Sequence, residues 1–213
     1  MRIITLVTQK GGTGKTTIAT SLAVAAHDAG EKVLALDLDP QGSLNAWGNL
    51  READLPHVEQ VPANIVADLP KLLEGVKAQG FTLTILDTAG ADNPTTHLAM
   101  QAADLCLVPL RPTSIDGNAV MPTTQALQRL GKPFAFVLSQ CSTIPRNSRA
   151  AEMAAGLRTL GVLAEPFICQ RADYQDAYAA GQGVTERDPN GKAAQEMRDL
   201  WQWANKRMKG KSA

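Results

Sequence analysis

The stretch that most limits what this chain can fold into is Gln9-Lys10-Gly11-Gly12-Thr13-Gly14-Lys15-Thr16-Thr17. The apolar run Ile3-Ile4-Thr5-Leu6-Val7 before it reads as a buried strand, and the alanine-rich run over residues 18–26 after it reads as a helix. Strand, glycine-rich turn and helix are the setting of a phosphate-binding loop. Glycines let successive backbone N–H groups turn inward without Cβ clashes. The helix adds its unpaired N–H groups and the positive end of its dipole. In such a loop Lys15 can reach the β- and γ-phosphates, and the Thr16 hydroxyl can take a Mg²⁺ position. The common pattern G-x-x-x-x-G-K-[ST] has glycine where this chain has Gln9. Lys10 stands five residues before Lys15. Spacing alone leaves two readings of it open, a solvated charge beside an anion site or a second phosphate lysine.

The rest of the chain alternates strand and helix patterns. Strands are expected at residues 2–8, 32–37, weakly at 57–61, 81–87, 104–109, 134–138 and near 166–168. Helices are expected at about 15–29, 43–50, 66–79, 94–103, 117–131, 146–160, 174–180 and 192–207. Gly30 and Gly80 stop two of them. The strand at 32–37 is nearly all apolar, as in a parallel sheet covered on both faces. The spacings fit right-handed crossovers. The expected fold is α/β, a single doubly wound and mostly parallel sheet of about seven strands. Residues 1–208 are expected to form one domain, with a frayed tail at 209–213. A ligand then belongs outside the carboxyl ends of the strands.

Three aspartates fall at such ends. Asp87 closes Ile85-Leu86-Asp87-Thr88-Ala89-Gly90, where a carboxylate can hold Mg²⁺ beside Thr16 or simply cap the next element. Asp37 and Asp39, with Leu38 between them, share one face of an extended chain. Solvation or capping is the plain alternative, since Pro40 already marks a turn.

The string KGGTGKTT resembles the deviant Walker A motif of the ParA/MinD superfamily of ATPases. Asp-Thr-Ala-Gly at 87–90 and Asp-Leu-Asp-Pro-Gln-Gly at 37–42 resemble its Walker B and switch I strings. The resemblance spans nearly the whole chain and is strongest to small ParA-type partition ATPases without an N-terminal helix-turn-helix, for which no room is expected before Ile3. It implies that ATP and Mg²⁺ are the cofactors, cradled by residues 10–17. It implies that Lys10 reaches the nucleotide of a second subunit, so that ATP is sandwiched in a homodimer. Lys10, Lys15 and Asp39 are the implied catalytic set, with Asp39 placing the attacking water. Thr16, Asp39 and Asp87 would serve the metal, and Asp37 would support the nucleotide site. Gly90 would let a switch loop answer the γ-phosphate.

The run over residues 108–116 resembles the family's proline-containing loop near the interface. A strand end with Asp116 capping the next helix explains most of it, and Arg111 remains an interface candidate. Gln140 and Arg171 follow strands where the family contacts adenine, although the Asn-Arg pair of some members is missing. The resemblance further implies non-specific DNA binding with ATP and a ParB-like or cargo-adaptor protein that stimulates hydrolysis.

Zero net charge argues against a generally basic nucleic-acid binder. Residues 1–145 carry net −3 and residues 146–213 net +3. Arg146, Arg149, Arg171, Lys192 and Lys206 are the candidate DNA contacts. No apolar run approaches a bilayer span, and a cytoplasmic protein is expected, nucleoid-associated when ATP-bound. A MinD-like membrane-cycling regulator is the first alternative, because Trp201 and Trp203 lie among basic residues near the end. Met197, Leu200, Trp201 and Ala204 equally follow the i, i+3, i+4, i+7 spacing of a packing face, and no membrane contact is expected. A metabolic ATPase or synthetase is the second alternative. An iron-protein version is disfavoured, since Cys106, Cys141 and Cys169 lie in no matching motif and read as buried free thiols.

Overall fold

Among the described residues, short and mostly apolar runs, with the polar edge run His57–Gln60, pair into seven parallel strands in the order β3-β2-β4-β1-β5-β6-β7. The computed structural model describes residues 1–62, 64–144 and 148–210. The strands are β1 (Arg2–Leu6), β2 (Val33–Asp37), β3 (His57–Gln60), β4 (Leu83–Asp87), β5 (Leu105–Leu110), β6 (Phe134–Leu138) and β7 (Val162–Leu163). The helices are α1 (Lys15–Asp28), α2 (Ser43–Leu50), α3 (Leu69–Ala78), α4 (Pro94–Ala102), α5 (Ser114–Ala119), α6 (Met121–Arg129), α7 (Ser148–Leu160), α8 (Ala172–Ala179), α9 (Val184–Arg187) and α10 (Lys192–Lys209). A 3₁₀ turn, Val66–Asp68, leads into α3.

Alternation along each strand divides the core between two faces. Ile4, Leu6, Val33, Ala35, Ile85 and Leu107 pack with α1 and α10. On the other face Leu34, Leu36 and Leu86 meet α3, while Cys106, Val108 and Phe136 meet α6 and α7. The doubly wound arrangement follows, because the central strands must bury both faces, while the edge strand β3 is largely exposed. From β1 the chain moves outward to β2 and β3, returns as β4 between β2 and β1, then adds β5, β6 and β7 on the far side. That reversal places β1 and β4 at the switch point, where a crevice opens beyond the strand ends.

Several expectations change. The helix expected over 117–131 is two helices, α5 and α6, meeting at Val120. Pro122 sits in the first turn of α6, where a missing N–H costs nothing. The strand expected near 166–168 lies earlier, at Val162–Leu163. Pro166 has no N–H to donate, so the ladder is interrupted there. The chain rejoins β6 through the bond from Ile168 N to Leu138 O, 2.8 Å, and a bridge between Cys141 and Cys169. Lys209, expected in the tail, is the last residue of α10, and 211–213 lie outside the described residues. Met197, Leu200, Trp201, Ala204 and Met208 are buried in the core that α10 shares with α1, so the apolar face packs inward. Cys106 and Cys141 are buried free thiols, whereas Cys169 is only half-buried. Among the described residues no helix is long and apolar enough to cross a membrane.

Candidate nucleotide site

The phosphate loop begins where β1 ends. Gly12 and Gly14 take φ of 73° and 92°, which side chains rarely tolerate. Gly14 is the residue from which α1 starts. Two hydrogen bonds brace the loop from the turn after β6: Ser139 Oγ donates to Thr13 O at 2.7 Å and Gln140 Nε2 donates to Gly12 O at 2.9 Å, and both residues lie beside Gly14. Gly90 braces it from β4. A Cβ there would stand 2.9 Å from Gly11 N, so glycine at 90 allows the β4 loop to lie against the Lys10–Gly11 peptide. An open crevice of about 440 Å³ is lined by Gly11, Gly12, Lys15, Thr16, Asp39 and Gly90.

Lys15 is buried and its Nζ lies 3.4 Å from Lys10 O. Burial lowers its pKa, and the negative charges of Asp87 and Asp39 pull it back up. Asp87 accepts from the Thr16 hydroxyl at 2.6 Å through Oδ2. Its Oδ1 is buried without a hydrogen-bond partner. Burial, partly offset by Thr16 and reinforced by Asp37, pushes the Asp87 carboxyl up to about 7. An unpartnered buried carboxylate oxygen beside a hydroxyl is a donor set for a hard cation. No group of three or more His, Cys, Asp or Glu is gathered for a metal among the described residues. Mg²⁺ does not require one, since one or two carboxylates with phosphate oxygens and water complete its shell. Thr16 and Asp87 can therefore hold Mg²⁺ that arrives with a phosphate ligand.

Asp37 and Asp39 separate in role. Asp37 is fully buried and accepts from Asp39 N at 3.0 Å and Asn45 N at 2.9 Å, fixing the start of α2. Burial raises its pKa against those two bonds. Asp39 is half-buried on the crevice wall and accepts from Gln41 N at 3.0 Å, which leaves oxygen lone pairs facing the opening.

Lys10 does not point into this crevice. Its Nζ pairs with Asp116, which also accepts from Arg111 Nε at 2.8 Å, Nη2 at 3.1 Å and N at 3.1 Å. Burial alone would raise the Asp116 carboxyl, but Arg111 and Lys10 hold it well below the usual range. Asp116 was expected as a helix cap. Thr113 is the cap of α5, its hydroxyl accepting from Asp116 N at 3.2 Å, and the Asp116 carboxylate serves the two cations instead.

A second hollow of about 150 Å³ adjoins the first at Gly14 and Thr17 and is walled by Gln140, Gln170, Arg171 and Tyr174. Gln140 and Arg171 thus face a shared space beside the phosphate loop. Neither is unengaged, because Gln140 is bonded to Gly12 and Arg171 is paired with Glu196 at 2.7 Å. Gln140 holds φ of 51°, which places its side chain back over the loop. Sequence reasoning passed over Glu196, although a glutamate between Ala193 and Leu200 on the apolar face of α10 was a visible signal.

A glycine loop cradling Lys15 and Thr16, with an acidic strand end opposite, defines a P-loop nucleotide-binding protein. The chain belongs to the CobQ/CobB/MinD/ParA nucleotide binding domain family, whose pattern it matches over residues 4–184. It is 34% identical over 200 residues to the maintenance of carboxysome distribution protein A of Gloeobacter kilaueensis, spanning 92% of this chain and 88% of that one. It is 27% identical over 195 residues to protein ParA of Rhizobium radiobacter, spanning 85% and 84%. The fold matches that of apo McdA from Cyanothece with a TM-score of 0.78 at 17% identity, covering 97% of this chain and 98% of that chain. As a ParA/MinD-type member the chain is an ATPase, and the donor set described above fits ATP with Mg²⁺.

Proposed function

We propose that this chain is a partition or positioning ATPase that forms an ATP-sandwich homodimer, binds DNA without sequence preference, and is reset when a partner protein stimulates hydrolysis. The observation that carries this reading is the near end-to-end match to a relative named for the distribution of carboxysomes. Site geometry supports it. Residues Gly11, Gly12, Thr13, Gly14 and Thr17 cradle the phosphates with their N–H groups, and Lys15 neutralises the β- and γ-oxygens. Thr16, Asp87 and Asp39 serve Mg²⁺, which neutralises phosphate charge when bound, and Asp37 keeps the Asp39 turn in place. Asp39 also orients the attacking water, since it is the carboxylate on the crevice wall with free lone pairs. Gln140 and Arg171 flank the base.

Lys10 serves a second subunit in this reading. It is stored against Asp116 in its own chain, and its side chain is 25% exposed, so release requires no unfolding. Arg111 stays behind as the counter-ion, sparing Asp116 a buried unpaired charge.

The dimer doubles a mildly basic face into one phosphate-binding surface whose affinity falls steeply with salt. Lys192 and Lys206 are exposed in α10 and suit that surface, and Arg149 lies at the start of α7. Arg171 is committed to Glu196, and Arg146 lies outside the described residues. The partner is a ParB-like or cargo-adaptor protein, and the ATP-bound state is nucleoid-associated. Co-sedimentation with random-sequence DNA tests the reading. Binding is expected with Mg²⁺-ATP, not with Mg²⁺-ADP, and declining between about 50 and 200 mM salt. Equal binding in both nucleotide states, or none at low salt, would refute it.

A further inference from the structure

The hollow beside the phosphate loop has no acidic residue in its wall. Glu196 stands directly behind that wall, 8% exposed, on α10. Its Oε1 accepts from Arg171 Nε at 2.9 Å and from Arg171 Nη2 at 2.7 Å. Its Oε2 accepts from Tyr174 OH at 2.9 Å and from Cys169 N at 3.2 Å. A carboxylate offers about four acceptor sites, and here all four are taken by the protein. The three donating residues are wall residues of the hollow, and they come from the strand-like stretch after β7 and from α8. One buried charge thus gathers the wall and ties it to the C-terminal helix.

We infer that Glu196 is a positioning residue for the nucleoside end of the site: it holds Arg171 and Tyr174 in the geometry that a nucleobase meets, without touching the ligand itself. This inference rests on the reading of the hollow as the base compartment. Arg171 has a long side chain with several rotamers, and two charge-assisted hydrogen bonds to one carboxylate oxygen remove the entropy that a ligand would otherwise have to remove. With the anchor gone, the guanidinium and the phenol lose their shared acceptor and the wall relaxes. The phosphate loop shares none of these bonds, since its braces come from Ser139, Gln140 and Gly90. The two halves of the ligand are therefore separable by experiment.

The test compares binding of ATP and of inorganic tripolyphosphate, both with Mg²⁺, to the full chain and to its Glu196→Gln variant. Wild type is expected to bind ATP at least about tenfold more tightly than tripolyphosphate, as one or two well-made buried contacts would give. Glu196→Gln is expected to remove most of that advantage while leaving tripolyphosphate affinity within about twofold. In turnover assays the loss should appear as a raised KM for ATP with kcat retained. Retained tripolyphosphate binding also reports that the variant is folded. If Glu196→Gln keeps the full ATP advantage, the positioning role is wrong although the hollow still takes the base. If tripolyphosphate binding falls in parallel, Glu196 is a general fold support and the inference fails. If wild type shows no advantage for ATP, the hollow is not the base compartment, and both readings fall together.

Discussion

Asp87 and Asp116 are each about 1% exposed; Asp87 ends the central strand β4, and Asp116 lies in α5, just beyond the central strand β5. Their surroundings are opposite. Asp116 is held by Lys10 and by three donors of Arg111, and its carboxyl lies well below the usual range. Asp87 has one hydroxyl, an unpartnered oxygen, two acidic neighbours and the charge of Lys15 without a direct bond, and burial pushes its carboxyl up to about 7. Burying a carboxylate is costly unless a cation answers it. Asp116 has its cations within the chain and works as a strap. Asp87 has only the field of Lys15, with no ion pair or hydrogen bond to it among the described residues, and a metal brought by the ligand would complete it. The same residue type, equally hidden from solvent, is structural in one place and poised for a ligand in the other.

The largest expected break in this contrast is Asp87→Asn. It should lower Mg²⁺-dependent ATP hydrolysis by roughly a hundred- to a thousandfold, as loss of a metal position does, measured as steady-state phosphate release. Asp116→Ala should instead act on stability. Lys10 and Arg111 would lose their shared partner, at a cost of about 2 kcal/mol once their partial exposure is discounted, read as a shift in urea midpoint.

A third expectation concerns pH. The folded chain keeps a proton on Asp87 up to about pH 7, while the unfolded chain releases it near the ordinary carboxylate value. The stability tied to that proton is present below the unfolded value and is lost as pH rises toward 7. Asp87→Asn should flatten this decline and leave the ligand-free protein more stable at pH 8, by about 1–2 kcal/mol. Asp116 runs the other way. Its contribution is present above the ordinary carboxylate range and is lost only as pH falls below it. Thermal melts from pH 3 to 8 on wild type and both variants separate the two behaviours, and parallel curves for all three would erase the contrast. The smallest expected effect is from Gln140→Ala, which removes one bond to Gly12 and should cost about 0.5–1 kcal/mol in nucleotide affinity.

The phosphate half of the site was legible because its chemistry is local in the chain. Strand, glycines and helix follow one another, so spacing alone places Lys15 and Thr16 together. Asp39 and Asp87 were legible as strand ends, since parallel strands of one sheet end side by side. The strap was not. Lys10 and Asp116 are 106 positions apart, and Asp116 sits in a short run that reads equally well as a helix cap. Arg171 reads in the sequence as a candidate base contact, with no sign of a partner. Its partner Glu196 lies 25 residues on, in a helix whose apolar spacing drew attention to packing instead.

By itself the chain's order of residues determined the alternation of strands and helices, the parallel sheet buried on both faces, and the loop at residues 9–17. Each is a consequence of periodicity or of backbone freedom within a few positions. Tertiary structure alone decided which buried charges are answered. Whether Lys10 rests on Asp116, whether Asp87 keeps an unpartnered oxygen, and whether Glu196 holds the wall beside Gly14 all depend on distances between elements far apart in the chain. Electrostatic energy in a protein interior changes steeply over a few ångströms, and no spacing rule along the chain records such distances.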